Sequence, residues 1–333
     1  MPEESPLQEA QQKFADALPF RSMDSETLPL AEAAGRILYE DLVAPEAVPP
    51  YPRVIVEGFL VHTAATEGAS EDAPVTFEIA GEVMPGDSTC PEFQPSQALR
   101  VATGSIVSDQ PLSVVRMWEA KIEGNQVSIT RPFPPRFFIE EQGCDIQQGA
   151  VVLEAGTRLG PMDIGNIASL GISRVDVARR PRVTVFSSGD EVIPYTEAMK
   201  PGAIRDSNSV MLCAAIAEAG GVPKFAGIMK DDFDHFVSTL KSALRDADMA
   251  VISGGTAVGG RDFISDLLRE AGELVVDGVP MRSGRPLIMG VAGGKPIVCV
   301  AGHPPEALRG FRLFGVAALD RITGHQAGLP ADD

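Results

Sequence analysis

The stretch from Arg182 to Leu319 restricts the possible folds more than any other part of the chain. Short apolar runs at residues 182–186, 250–253 and 296–300 alternate with helically spaced segments at 207–219, 233–245, 262–271 and 304–319. Short continuous apolar runs that repeatedly give way to a 3.6-residue period predict strands followed by helices. That order predicts a parallel sheet covered by helices on both faces. Ligands of such sheets bind in the loops beyond the carboxyl ends of the strands, so those loops are the first candidates for a site.

Each of them carries chemistry. The first strand runs into Ser187, Ser188, Gly189, Asp190 and Glu191, two hydroxyls, a glycine and two carboxylates. This is either a substrate- or metal-contacting turn or a helix cap. The second runs into Ser253, Gly254, Gly255, Thr256, Ala257, Val258, Gly259, Gly260, Arg261 and Asp262, with four glycines between positions 254 and 260. Glycines let a backbone approach a phosphate and turn several N–H groups toward it, and the following helix adds its positive end. An anion site is favoured here over a merely flexible loop. Arg282 and Arg285 flank a later turn, as an oxyanion clamp or as solvated charges. The last strand leads into Gly302, His303 and Pro304, and a histidine in a turn is more often a structural hydrogen-bonder than a ligand contact.

The rest of the chain organises differently. Residues 7–17 and 30–40 show helical spacing, with Ser25 ahead of the second as a start region, which predicts two opening helices. Four prolines between 44 and 52 read as an extended linker. From 55 to 130, alternating pieces such as 75–79, 98–101 and 126–129 are broken by Gly, Pro and Asp, the pattern of a small β domain. A helix over 161–170 capped by Gly171 follows.

With 333 residues, two or three domains are expected. No apolar run reaches the roughly 18 residues of a membrane span, and the first ten residues lack the features of a secretion signal. Cys90, Cys144, Cys213 and Cys299 lie far apart, read as reduced thiols without zinc spacing. A formal charge of -18 argues against nucleic acid and anionic membranes as partners. These features predict a soluble cytoplasmic protein whose anionic substrate finds a local pocket of N–H groups and arginines.

Taken in order, the motifs resemble the molybdopterin molybdenumtransferase family of the MoeA/gephyrin E-domain type. Arg180-Pro181-Arg182-Val183 with Ser188-Gly189-Asp190-Glu191 is similar to the family's R-P-x-V…T-G-D-E-L, and Ile204 to Ser209 to its I-x-D-S-N-x. Lys230-Asp231-Asp232 is similar to R-D-D, residues 254–262 to G-G-x-S-x-G-x-x-D, residues 281–286 to M-x-P-G-K-P, and Gly302-His303-Pro304 to P-G-N-P. Upstream, Ala34 to Leu38, Val48 to Tyr51, Arg100 to Gly104 and Gly143 to Ile146 resemble L-G-R-V-L, V-P-P-F, R-I-x-T-G-A and G-E-D-I. The likeness spans residues 7–324, and ordered agreement of many motifs is far more specific than any one.

The resemblance implies an α/β multidomain fold. Its parts are a discontinuous, elongated mixed N-terminal domain (7–48 and 144–179), a small inserted β-rich domain (49–143) and a three-layer α/β pterin-binding domain of MogA-like type (180–324). It implies insertion of molybdate into adenylylated molybdopterin with release of AMP, aided by Mg²⁺, in a homodimer that hands its product to molybdoenzymes. Carried over by motif, Glu57, Asp145, Asp190 and Glu191 are the catalytic candidates, and Glu57, Glu191 and Asp231 the metal candidates. The substrate contacts are Thr103, Ser188, Gly189, Asp231, Ser253, Gly254, Gly255, Thr256, Gly259, Asp262, Arg282, Arg285, Gly302 and His303. The chain departs from the family's pattern at Glu57, where the family has Asp, and at Phe138 and Glu140, which stand where its N-x-R would be. It departs again at Ala257, at Arg282 and Arg285 for two lysines, at His303 for Asn, and in ending soon after Gly324, ahead of the family's C-terminal β domain. These departures keep a second reading open, a non-catalytic paralogue that carries or senses the pterin.

Overall fold

The structure is a computed structural model that describes residues 5–230, 232–255, 260–281 and 284–327. The chain divides into two compact units, one of residues 1–41, 154–165 and 173–333, the other of 42–153 and 166–172.

The chain opens with helix α1 (Pro6–Asp16), where Ser5 and Gln8 form a capping box and Phe14 is buried. The second expected helix is absent. Strand β1 (Ser25–Pro29) occupies its supposed start, and only a single 3₁₀ turn, Leu30–Glu32, follows. Pro29 restricts Leu28 to extended backbone, Gly35 adopts φ +75°, and β1 finds an antiparallel partner 149 positions away, so pairing overrides local helical spacing.

In the second unit the strands are β2 (Leu42–Val43), β3 (Arg53–Val54), β4 (Gly58–His62), β5 (Val75–Val83), β6 (Gln97–Val101), β7 (Leu112–Arg116), β8 (Lys121–Glu123), β9 (Gln126–Ile129), β10 (Ile139–Glu140) and β11 (Val151–Leu153). Six of them form one sheet in the order β7-β4-β6-β5-β9-β8, the small β unit read from the sequence. Phe59, Val61, Phe77 and Val115 pack on one side of it, and Leu60, Leu99, Val101 and Val114 on the other. Alternate residues of a strand face opposite sides, so these runs bury both faces.

Helix α2 (Pro161–Ser169) ends before Gly171 at φ +71°, as expected, and leads into β12 (Arg174–Ala178), the partner of β1. The strands that follow are β13 (Arg182–Ser188), β14 (Val192–Ile193), β15 (Ile204–Arg205), β16 (Val222–Met229), β17 (Met249–Ser253), β18 (Glu273–Met281), β19 (Gly284–Ala292) and β20 (Lys295–Val300). The helices are α3 (Asn208–Glu218), α4 (Phe233–Asp246), α5 (Gly260–Ala271), α6 (Pro304–Gly310) and α7 (Val316–Thr323).

The sheet order is β16-β13-β17-β20-β19-β18. Its first four strands are parallel, but β19 runs antiparallel to both of its neighbours, β20 and β18, which corrects the expectation of a parallel sheet. Gly278 and Pro280 are residue types that strand interiors disfavour. Here they sit in an edge strand whose pairing shifts register repeatedly, and an edge tolerates a missing N–H. The layers are as predicted: α1, α3, α6 and α7 bury Phe14, Leu212, Ala307 and Leu319 against Val183, Val251 and Val298 on one face. On the other, α4 and α5 bury Phe236, Leu240, Ile264 and Leu267 against Phe186, Ile252 and Ile297. The last expected helix is interrupted by a π turn, Phe311–Gly315, where the Phe311 ring lies 2.3 Å from where a Gly315 side chain would begin.

Candidate active site

Strands β13, β17 and β20 end side by side, Ser187 opposite Ser253 and Ser253 opposite Val300. Beyond those ends lies a cleft of about 400 Å³, lined by Ser187, Ser188, Glu191, Ile204, Arg205, Asp206, Asn208, Ser253, Gly254, Gly255, Pro286, Gly302 and His303. It sits at the carboxyl edge of the sheet, where the sequence placed the candidate loops.

The glycines of the lining have steric causes. Gly254 and Gly255 adopt φ +92° and +68° in succession, the left-handed form that turns N–H groups toward an anion. A side chain at Gly254 would begin 2.6 Å from the Ser188 carbonyl oxygen, and one at Gly255 3.1 Å from Ser188 Oγ. A side chain at Gly189, φ +142°, would begin 2.8 and 2.9 Å from the two carboxylate oxygens of Glu191, which fold back over it. The same turn is held from β16 by Lys230, whose Nζ donates to the carbonyls of Gly189, Asp190 and Val192 at 3.3, 2.8 and 3.4 Å.

Asp206 is buried and accepts from Ser209 N–H at 3.0 Å, fixing the first turn of α3 at the cleft wall. The cleft carries few charges: Glu191, Asp206 and Arg205, the last with Nε donating to Glu197 O at 3.2 Å. Capacity for an anion rests on backbone N–H groups, hydroxyls and the positive end of α3.

Three buried side-chain atoms lack any hydrogen-bond partner among the described residues, Ser187 Oγ, Ser188 Oγ and Asn208 Oδ1, and all three residues line this cleft. Buried polar groups are almost always satisfied, so a cluster of orphans at one strand edge marks a surface built for a polar ligand.

Of the residues expected from sequence, Ser188, Glu191, Ser253, Gly254, Gly255, Gly302 and His303 come together here. Gly189 and Asp190 occupy the adjoining turn. The Arg285 guanidinium instead donates twice to Gly278 O, at 3.0 and 2.6 Å within its own hairpin, and the next residue, Pro286, reaches the cleft. Asp231, Thr256, Gly259, Arg282 and the side chain of Asp262 lie outside the described residues. Glu57, Thr103 and Asp145 belong to the second unit and are exposed there. Thr103 Oγ1 donates to Ile55 O at 3.4 Å, and Asp145 lies 3.8 Å from Arg53.

Among the described residues, one group brings together potential metal ligands, Glu140, Cys144 and Asp145, and the Arg53 guanidinium already pairs with Glu140 at 2.9 Å. The four cysteines are unpaired, and burial pushes the Cys299 thiol well up. Sequence reasoning had Ser187 in a candidate substrate-contacting turn but passed over Asp206 and Asn208 as site residues. The Asp-Ser-Asn run at the start of a helix was the available signal.

Comparison with known proteins agrees with this geometry. Residues 5–171 match the family described as MoeA N-terminal region (domain I and II), and residues 184–321 match the one described as probable molybdopterin binding domain. The chain is 31% identical over 296 residues to the molybdopterin molybdenumtransferase of Bacillus subtilis (strain 168), covering 87% of this chain and 69% of that protein. It is 31% identical over 314 residues to molybdopterin molybdenumtransferase 2 of Mycobacterium tuberculosis (strain ATCC 25618 / H37Rv), covering 92% and 77%. The crystal structure of the molybdopterin biosynthesis moeA protein from Pyrococcus horikoshii OT3 superposes with a TM-score of 0.83 at 29% identity, covering 97% of this chain and 80% of that one. The cleft lies in the part matched to the molybdopterin binding domain, and together these matches leave one conclusion: the chain belongs to the molybdopterin molybdenumtransferase (MoeA) family.

Proposed function

We propose that this protein is a transferase of molybdenum cofactor biosynthesis that inserts molybdate into adenylylated molybdopterin and releases AMP. The observation that carries the reading is the pair of orphaned buried hydroxyls, Ser187 Oγ and Ser188 Oγ, gathered beside the left-handed glycine pair Gly254–Gly255. Hydroxyls and N–H groups in that arrangement suit the phosphate oxygens of a phosphorylated pterin. Residues 180–324 then serve as the pterin-binding domain, 49–143 as the inserted β domain, and 7–48 with 144–179 as the linker domain.

Ser188, Ser253, Gly254, Gly255, Gly302 and His303 hold the substrate, with Thr256, Gly259, Asp262, Arg282 and Arg285 as further contacts. Glu191 lines the cleft and offers hard carboxylate oxygens, the donor type that Mg²⁺ takes, and Asp231 and Glu57 complete the candidate set. Bound there, Mg²⁺ supplies positive charge to offset that on the departing phosphate. Glu57, Asp145 and Thr103 act from the linker side of a homodimer partner. The product passes to molybdoenzymes in the cytoplasm.

The test is a fixed-time assay of purified protein with adenylylated molybdopterin, Mg²⁺ and molybdate, beside a Glu57→Ala variant. Molybdate-dependent AMP release that falls roughly a hundredfold in the variant is expected for loss of a positioned catalytic group. Tight pterin binding without AMP release overturns the transferase reading.

A further inference from the structure

We infer that Asn208 is the positioning residue that holds the two substrate-side turns of the cleft, 253–255 and 301–304, at a fixed separation; this rests on the reading of the cleft as the pterin-phosphate site. Asn208 is the first residue of α3 and is 8% exposed. Its Nδ2 donates to Ser253 Oγ at 2.7 Å and to Gly302 O at 2.7 Å, and Ser253 Oγ donates onward to Ala301 O at 3.3 Å. One amide nitrogen therefore spends both protons on two different turns.

The alternative amide orientation is excluded by chemistry. Gly302 O can only accept, so the group facing it must be the NH₂ and not the oxygen. Past Ser253 and Val300 the parallel ladder stops. Among the described residues the only backbone bond continuing it across these turns is Gly254 N–H to Val300 O at 3.2 Å. The turns nevertheless pack closely, since a side chain on Gly302 would begin 3.8 Å from Gly254 Cα. Register at this point passes from the sheet to a small side-chain network in which Asn208 bonds both turns and Ser253 carries the link on to Ala301 O. Asn meets the demand because it is short, neutral and a double donor at one atom. Asp has the same shape but would set an oxygen against Gly302 O, and Ala removes both bonds.

A phosphate held by N–H groups from two turns needs their spacing correct, because a displacement of about 1 Å weakens a positioned contact strongly. Both Nδ2 protons of Asn208 are thus spent on Ser253 and Gly302, and through them the residue sets the spacing that phosphate binding needs.

Hydrogen–deuterium exchange on the purified, ligand-free protein tests the lock directly. Asn208→Asp and Asn208→Ala are expected to speed exchange in the peptides spanning both turns together, by about tenfold, while peptides from Val75–Val83 are unchanged. In the AMP-release assay the same variants are expected to raise KM for adenylylated molybdopterin about tenfold with a smaller change in kcat. Combination with Ser253→Ala is expected to be non-additive, because both substitutions break one network. If either Asn208 variant fails to fold, Ser253→Ala alone carries the test, expected to loosen the 301–304 turn as well as its own.

Unchanged exchange, loosening of one turn only, or strict additivity with Ser253→Ala overturns the inference. Should the wild-type protein release no AMP, the catalytic reading fails while the exchange data still decide the role of Asn208.

Discussion

The buried hydroxyls of the second unit and the buried polar atoms at the cleft's strand ends are similarly enclosed but differ in how they are used. In the second unit Thr63 and Ser113 share a hydrogen bond of 2.6 Å, Ser113 also donates to Pro134 O, and Ser105 donates to Val83 O at 2.7 Å. Thr66 donates to Thr63 O and accepts from Phe133 N–H. In the cleft, Ser187 Oγ, Ser188 Oγ and Asn208 Oδ1 have no partner among the described residues. An unsatisfied buried group costs about 1–3 kcal/mol, so the first region spends its polar atoms on folding and the second withholds them. Withheld polarity of this kind distinguishes a binding surface from a mere gap between loops.

The largest expected effect tests the tightness of the second unit. Gly58 lies in β4 where a side chain would begin 1.9 Å from Val115 O, inside any permitted contact and against backbone that cannot swing away. Gly58→Ala is expected to lower unfolding stability by about 3 kcal/mol or more, read by denaturant titration. A loss below about 1 kcal/mol would mean that the sheet yields at its centre, and the contrast with the cleft would weaken.

A matched pair of serines sharpens the comparison at intermediate size. Ser113→Ala removes a hydroxyl that bonds both Thr63 and Pro134 O, and is expected to cost about 1–2 kcal/mol of stability without a direct effect on ligand. Ser188→Ala removes a buried hydroxyl with no partner, so stability is expected to hold within about 0.5 kcal/mol or to rise, while affinity for phosphorylated pterin falls about tenfold. Thermal melts with and without pterin separate the two. Equal destabilisation by both substitutions would break the distinction.

Much of this was legible in sequence for physical reasons. Strands β13, β17 and β20 are covered on both faces, so past Arg182 and Lys295 at their starts every residue of their runs is apolar or small, and no competing period blurs them. The glycine pair at 254–255 is visible because no other residue type fits left-handed backbone pressed on Ser188. Residues 25–40 misled because Leu28, Leu30, Ala33 and Ile37 keep helical spacing although long-range pairing with β12 and residue 158 decides their form. The β18–β19 hairpin was missed because Gly278 and Pro280 interrupt the apolar pattern of a strand, and the edge of a sheet absorbs both. Asn208 was visible as a letter in the Asp-Ser-Asn run. Its importance comes from two acceptors 45 and 94 positions away, which no local pattern encodes.

The smallest effect probes the charged rim of the second unit. Arg116 Nε donates to Glu119 Oε2 at 2.7 Å and holds the carboxyl down to about 2, against an ordinary 4.5, with burial opposing and Arg131 assisting from the other oxygen. A depressed carboxylate stabilises the fold above its unfolded value and loses that contribution as pH falls through the folded value. The stabilisation is therefore complete above about pH 4.5 and fades toward about pH 2. Arg131 is 45% exposed, so solvent screening limits the contribution to less than about 1 kcal/mol. Glu119→Gln is expected to lower stability by that small amount at pH 6 and to match the wild type near pH 2, measured by urea unfolding across the range. Ser188→Ala should show no such pH dependence, because the cleft hydroxyl carries no charge to titrate; a parallel acid profile in both variants would mean that the rim pair is not what sets the slope.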